Sequence, residues 1–195
     1  NEILQLHSAQ YKNPSQLPEG GALVVGSGQS GAQIAEELLE NGKKTWLAVS
    51  KCGRRPRRYR GKDSSWWNYE MGSFNKTVEN TPFEQRWTCS PHTSGSRGGH
   101  DINLIDLEEK GLTLCGTVKK CDSNKILFNN NLFENLNFSD QHAINWAKKV
   151  DQYINANNLK IPNETIAKDL RISNNKIHNI NEISAPKDIA SVIWA

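Results

Sequence analysis

No stretch of this 195-residue chain approaches the ~20 consecutive apolar positions that a membrane-spanning helix requires, so no such helix is expected. The first residues also lack the basic-then-apolar pattern of a secretory signal, and a cytoplasmic location is the resulting expectation. Cysteine is sparse and scattered. Cys52, Cys89, Cys115 and Cys121 form no C-x-x-C pair, so neither a zinc site nor a redox dithiol is signalled, and free thiols are expected. No internal repeat, Ser-His-Asp spacing, paired-carboxylate site or metal-ligand cluster stands out, so neither a catalytic nor a metal-binding residue is assigned.

What is present is a soluble globular balance, 36% hydrophobic and 23% charged, in a chain long enough to bury one core. The net charge of +3 is unevenly spread. Lys51 to Lys62 reads K-C-G-R-R-P-R-R-Y-R-G-K and carries seven cations with no acid, which leaves the remainder of the chain net acidic. One local basic loop argues for one anionic ligand at one place.

Along the chain, residues 1–21 contain Pro14, Pro18, Gly20 and Gly21 without apolar periodicity and read as a linker. Ala22 to Val25 fits a buried parallel strand, Gln29 onward has helical spacing that stops near Gly42, and Thr45 to Val49 fits a second strand. Ser64 to Met71 reads as a short aromatic-rich helix, Thr88 to Gly99 as a long loop, and Asp101 as the cap of a helix running to Lys110. Leu112 to Val118 and Lys125 to Phe128 predict a hairpin turning at Asp122, Ser123 and Asn124. Beyond it, Ser139 predicts the cap of a helix with Ala143, Ala147, Val150 and Ile154 on one face, a second helix is expected over Asn163 to Leu170, and Ile189 to Trp194 returns as a strand. The fold class is α/β, a Rossmann-like parallel sheet with flanking helices, a β-hairpin and a helical insertion near the C-terminus.

Gly26-Ser27-Gly28-Gln29-Ser30-Gly31 is a G-x-G-x-x-G set between strand and helix. The first glycine permits the tight turn, the second lets a pyrophosphate approach the backbone, and the third lets helix and sheet pack closely. The helix N-terminus then faces the phosphates. At the second strand tip, where NAD-binding domains carry an acid for the ribose hydroxyls, this chain has Ser50 and Lys51, with no acid between Thr45 and Arg60. Ser50, Lys51 and one or two of Arg54, Arg55, Arg57 and Arg58 are suited to the 2′-phosphate, so NADP(H) is the expected dinucleotide. The same loop, with Tyr59, Trp66 and Trp67, has a rival reading as a nucleic-acid contact.

His7-Ser8-Ala9-Gln10-Tyr11, Leu23 to Gly31 and Arg54-Arg55-Pro56-Arg57-Arg58-Tyr59-Arg60-Gly61 with Trp66-Trp67 resemble the NADPH-binding domain of flavin-containing monooxygenase-like flavoproteins. The resemblance covers residues 1 to about 118 and the last seven. The family's F-x-G-x-x-x-H fingerprint would place Phe and Gly where this chain has Asn1 and Ile3, and the chain looks more like a bacterial branch of flavin-dependent oxidoreductases. The resemblance implies a division into a linker from an FAD domain (1–21), an NADP(H)-binding domain (22–128), a helical insertion (129–186) and a strand returning to the FAD domain (187–195). It also implies that the domain, cut from a longer protein, positions NADPH for hydride transfer to FAD held elsewhere in the same polypeptide, with a small-molecule substrate. Alone, the fragment is then expected to be inactive, and neither nucleic acid nor membrane is an expected partner. A nucleotide-binding scaffold without catalysis is the further alternative. His100-Asp101 and His7 are read as a helix cap with an exposed histidine and as a linker residue.

Overall fold

The structure, a computed structural model, describes residues 2–86, 88–122, 124–173 and 176–195; Asn1 and Ser123, named above, lie outside them. The chain runs β1 (Leu4–His7), β2 (Gly21–Val25), α1 (Gln29–Glu40) and β3 (Thr45–Ala48). The basic loop forms the short β4 (Arg58–Tyr59) and β5 (Lys62–Asp63), followed by α2 (Ser64–Glu70), α3 (Leu104–Glu109) and β6 (Thr113–Cys115). Next come β7 (Val118–Cys121), β8 (Lys125–Phe128), α4 (Leu132–Ala156), α5 (Leu170–Ser173), β9 (Glu182–Ser184) and β10 (Ile189–Trp194).

Five strands form a wholly parallel sheet in the order β1-β10-β2-β3-β6. The expected α/β class with a Rossmann-like sheet is what the chain adopts. Alternation along the strands divides the core in two. Ala22, Val24, Leu47, Leu114 and Ile193 pack with Ala32, Ala35 and Leu38 of α1. Leu23, Trp46, Ala48, Cys115 and Val192 face the other way and meet Ile126, Phe128 and Ile183. Those last three belong to a three-stranded antiparallel sheet, β7-β8-β9, which covers the face opposite α1.

Several sequence expectations need correction. The lead-in contains β1, which pairs with β10 at the sheet edge and presents Leu4 and Leu6 to the core. Its brevity hid the alternation. Leu112 to Val118 is not one strand, because the chain leaves the parallel sheet at Gly116, where a side chain would overlap the Asn129 carbonyl oxygen. The hairpin is β7-β8, with β9 as a third strand, so residues 129–186 are not wholly helical.

The cap of α3 is Asn103, whose carboxamide accepts from Ile105 N at 3.1 Å; Asp101 instead accepts from the Arg57 amide. Helix α4 begins at Leu132, so Ser139 lies inside it, because buried Leu132 and Leu136 extend the Ala143–Ile154 stripe backward at helical spacing. Asn163–Asp169 forms no helix. Carbonyls at and just before its start serve the basic loop, with Arg60 Nε donating to Pro162 O at 2.8 Å and Tyr59 Oη donating to Glu164 O at 3.0 Å.

Candidate functional site

The order of strands reverses at β2: the chain proceeds from β2 to β3 on one side and places β10 on the other. In open α/β sheets the crevice beyond the carboxyl ends of such strands is where ligands bind. The Gly26–Gly31 turn emerges there, beside a cleft of about 380 Å³ bounded by Val25, Gly26, Ala48, Ser50 and Trp194.

The three glycines stand in different surroundings. Gly26 has φ +104°, a left-handed conformation that a side chain would strain, and Gly31 sits so close that a methyl would overlap the Gly26 carbonyl oxygen. Gly28 has an ordinary φ of −67°, and a Cβ built on it would meet only Cys89 Cβ, at 3.8 Å. Neither backbone conformation nor protein packing therefore demands a glycine at this position. Gly28 is also the N-cap of α1 and offers no side-chain bond to the first turn. The leading amides, at the positive end of a 12-residue helix, are left for an outside acceptor.

The intervening residues serve the turn itself. Ser27 is buried, and its hydroxyl accepts from Ser50 N at 3.0 Å and reaches Ser50 O at 3.2 Å, fastening the turn to the end of β3. The Gln29 carboxamide grips the backbone of Thr93, accepting from its N–H at 3.1 Å and donating to its carbonyl. The loop carrying Cys89 and Thr93 thereby lies over the glycine turn. Ser30 is exposed.

Ser50 stays beside the glycine turn, whereas the cations expected with it are largely occupied elsewhere. Lys51 forms a 2.6 Å ion pair with Glu134 of α4, both side chains more than half exposed. Arg54 pairs with Asp140, also of α4. Arg57 pairs with Asp63 at 2.8 Å, and Arg58 donates to the carbonyls of Gly98 and Gly99 at 2.8 and 3.1 Å. Arg60 engages Asp151 at 2.8 Å. Arg55 differs from these in that among the described residues it has no hydrogen bond or ion pair; its Nε, like that of Arg57, is buried without a partner, and burial lowers its pKa, opposed by the charge of Asp63.

The function of α4 could not be read from its own composition. It supplies Glu134, Asp140 and Asp151 to the basic loop and packs Trp146, Ala147, Val150 and Ile154 against Tyr59 and Trp67. Tyr59 donates to the Asp151 carboxylate at 3.1 Å, and burial with that bond pushes its hydroxyl pKa up to about 12. A signal was available, because acids on an amphipathic helix complement a loop that has cations and none of its own.

His92 is buried under the same loop, with Nδ1 3.0 Å from Ile102 O and Nε2 3.4 Å from Ser139 Oγ; burial pulls its pKa down to about 4. His100 bonds Glu36 at 2.8 Å, and His7 Nδ1 accepts from Ala9 N at 3.1 Å. Among the described residues no group of three or more His, Cys, Asp or Glu could hold a metal, and no helix is long and apolar enough to cross a membrane.

The family whose members are described as L-lysine 6-monooxygenase/L-ornithine 5-monooxygenase matches residues 2–106, more than half of the chain. The chain is also similar to an uncharacterized oxidoreductase CzcO-like from Geobacillus kaustophilus (strain HTA426), 42% identical over 82 residues, which are 42% of this chain and 23% of that protein. The uncharacterized oxidoreductase CzcO of Bacillus subtilis (strain 168) is 47% identical over 73 residues, 37% of this chain and 21% of that protein. The matched segment thus spans under a quarter of these relatives.

Proposed function

The chain belongs to the L-lysine 6-monooxygenase/L-ornithine 5-monooxygenase family of flavin-dependent, monooxygenase-like oxidoreductases, and from that premise we propose that it is the part that holds NADP(H). The observation that carries this reading is the uncapped N-terminus of α1, rising from the glycine turn where strand order reverses between β10 and β3. The first-turn amides hold the diphosphate, and Gly28 gives it room. Ser50 and Arg55 hold the 2′-phosphate, joined by Lys51, whose exposed pairing with Glu134 exchanges at little cost.

When bound, NADPH supplies a hydride, which passes to FAD carried by the rest of the polypeptide. This chain's residues bind and orient the nucleotide; none is assigned a proton transfer. The substrate is a small molecule, and the isolated chain has no turnover. A nucleic-acid contact is disfavoured by the pairing of Arg54, Arg57 and Arg60 with carboxylates, which leaves less free charge for a phosphate chain.

Calorimetric titration with NADPH and NADH tests the reading. Binding of NADPH roughly tenfold or more tighter than NADH is expected from one charge-assisted phosphate contact. Equal affinities would remove the assignment of the phosphate site, and absence of binding by either would remove the function.

A further inference from the structure

Cys52 and Cys89 meet across the seam between the loop after β3 and the loop that overlies the glycine turn, and we propose that hydrogen peroxide joins them in a disulfide that holds the second loop down. The backbones are already aligned: His92 N donates to Gly53 O at 3.0 Å, and Arg54 and His92 form a parallel bridge. Each sulfur reaches past its own strand to the neighbour of the other cysteine. Cys52 Sγ lies 3.4 Å from Ser90 O and Cys89 Sγ 3.7 Å from Lys51 O.

Their environments differ in the way a two-step oxidation needs, since Cys89 is exposed and Cys52 is buried. The Cys89 thiolate attacks peroxide, the O–O bond breaks, hydroxide leaves and Cys89 becomes a sulfenic acid. The Cys52 sulfur then attacks the Cys89 sulfur; the S–O bond breaks and the hydroxyl departs with the Cys52 proton as water. Two electrons pass from the two thiols to one peroxide. Burial, the largest cause, holds the Cys52 pKa up.

The consequence for the nucleotide rests on the function proposed above. Cys89 Cβ lies 3.8 Å from where a Gly28 Cβ would stand, in the space the diphosphate enters, so the loop must lift for the cofactor to seat. A disulfide to Cys52 opposes that movement.

The test is peptide mapping of the full protein without reductant after peroxide treatment. The expected product is a Cys52–Cys89 linked peptide lacking two hydrogens, reversed by dithiothreitol and absent from Cys89→Ser. Cys52→Ala serves as a second control, and if it fails to fold, the wild-type map and Cys89→Ser still decide. Over-oxidation of Cys89 with Cys52 still alkylatable, or a bond to Cys121, would overturn the proposal. Oxidised protein should bind NADPH about tenfold more weakly than reduced protein, and unchanged affinity would refute the holding action. If reduced protein fails to bind NADPH while the disulfide forms, the nucleotide reading falls by itself.

Discussion

The Arg54 guanidinium is ion-paired with the Asp140 carboxylate, the two side chains only 17% and 5% exposed, so the loop after β3 is fastened to the middle of α4 through a largely desolvated contact. Asp140 also accepts from Asp169 N at 3.0 Å, which draws the segment before α5 into the same junction. Removing one partner of such a pair leaves a charge stranded, and the penalty exceeds the worth of the pair itself. Asp140→Ala is expected to lower stability by roughly 3 kcal/mol, measured as a shift in the urea unfolding midpoint. A change no larger than that of an exposed acid would show that the contact is dispensable.

Two glycines of the turn separate folding from binding. Gly31→Ala drives a methyl into the Gly26 carbonyl and should destabilise the protein measurably in thermal unfolding. Gly28→Ala meets only Cys89 Cβ at 3.8 Å and keeps an allowed φ, so its unfolding temperature should stay near wild type. Its NADPH affinity should nevertheless fall about tenfold or more, because the methyl fills the diphosphate approach. Loss of stability with affinity retained would mean that Gly28 serves packing and not a ligand.

The strand, turn and helix of Gly21–Glu40 were legible because each local signal agreed: an apolar run, three glycines at fixed spacing, then a helical stripe ending near Gly42. The cations at the end of β3 were legible as a group and illegible one by one. Which arginine is free depends on Asp140, Asp63 and Asp151, and two of these three lie on α4, about ninety residues away along the chain. Sequence spacing carries no record of that pairing. The four residues of β1 were equally hidden, since their membership of the sheet comes from β10 at the opposite end of the chain. The loop over the glycine turn was visible as a loop, and its grip on Gln29 was not.

Glu134 is the acid that the fold brings to the end of β3, where the local sequence has none. Its exposed pairing with Lys51 contributes less than about 1 kcal/mol, so Glu134→Gln should unfold at nearly the wild-type temperature. It should also free Lys51 and tighten NADPH binding severalfold at low ionic strength, with the gain disappearing near molar salt. NADH affinity should not change. An equal gain for both nucleotides would mean that Lys51 acts on the diphosphate or on general charge and not on the 2′-phosphate.

His92 gives the fold a defined acid sensitivity. Its pKa is depressed to about 4 in the folded protein by burial, against an ordinary value of 6.5. The unfolded chain therefore takes up a proton below about 6.5 that the folded chain refuses until about 4. Stability from this group is fully present above pH 6.5, declines as pH falls through that window, and is spent below pH 4, a total of roughly 3 kcal/mol. His92→Gln keeps a polar side chain beside Ile102 O and Ser139 without the titration. Urea unfolding of both proteins at several pH values should give a steeper acid-side loss for wild type than for the variant. Parallel curves between pH 4 and 6.5 would show that His92 is not the group responsible.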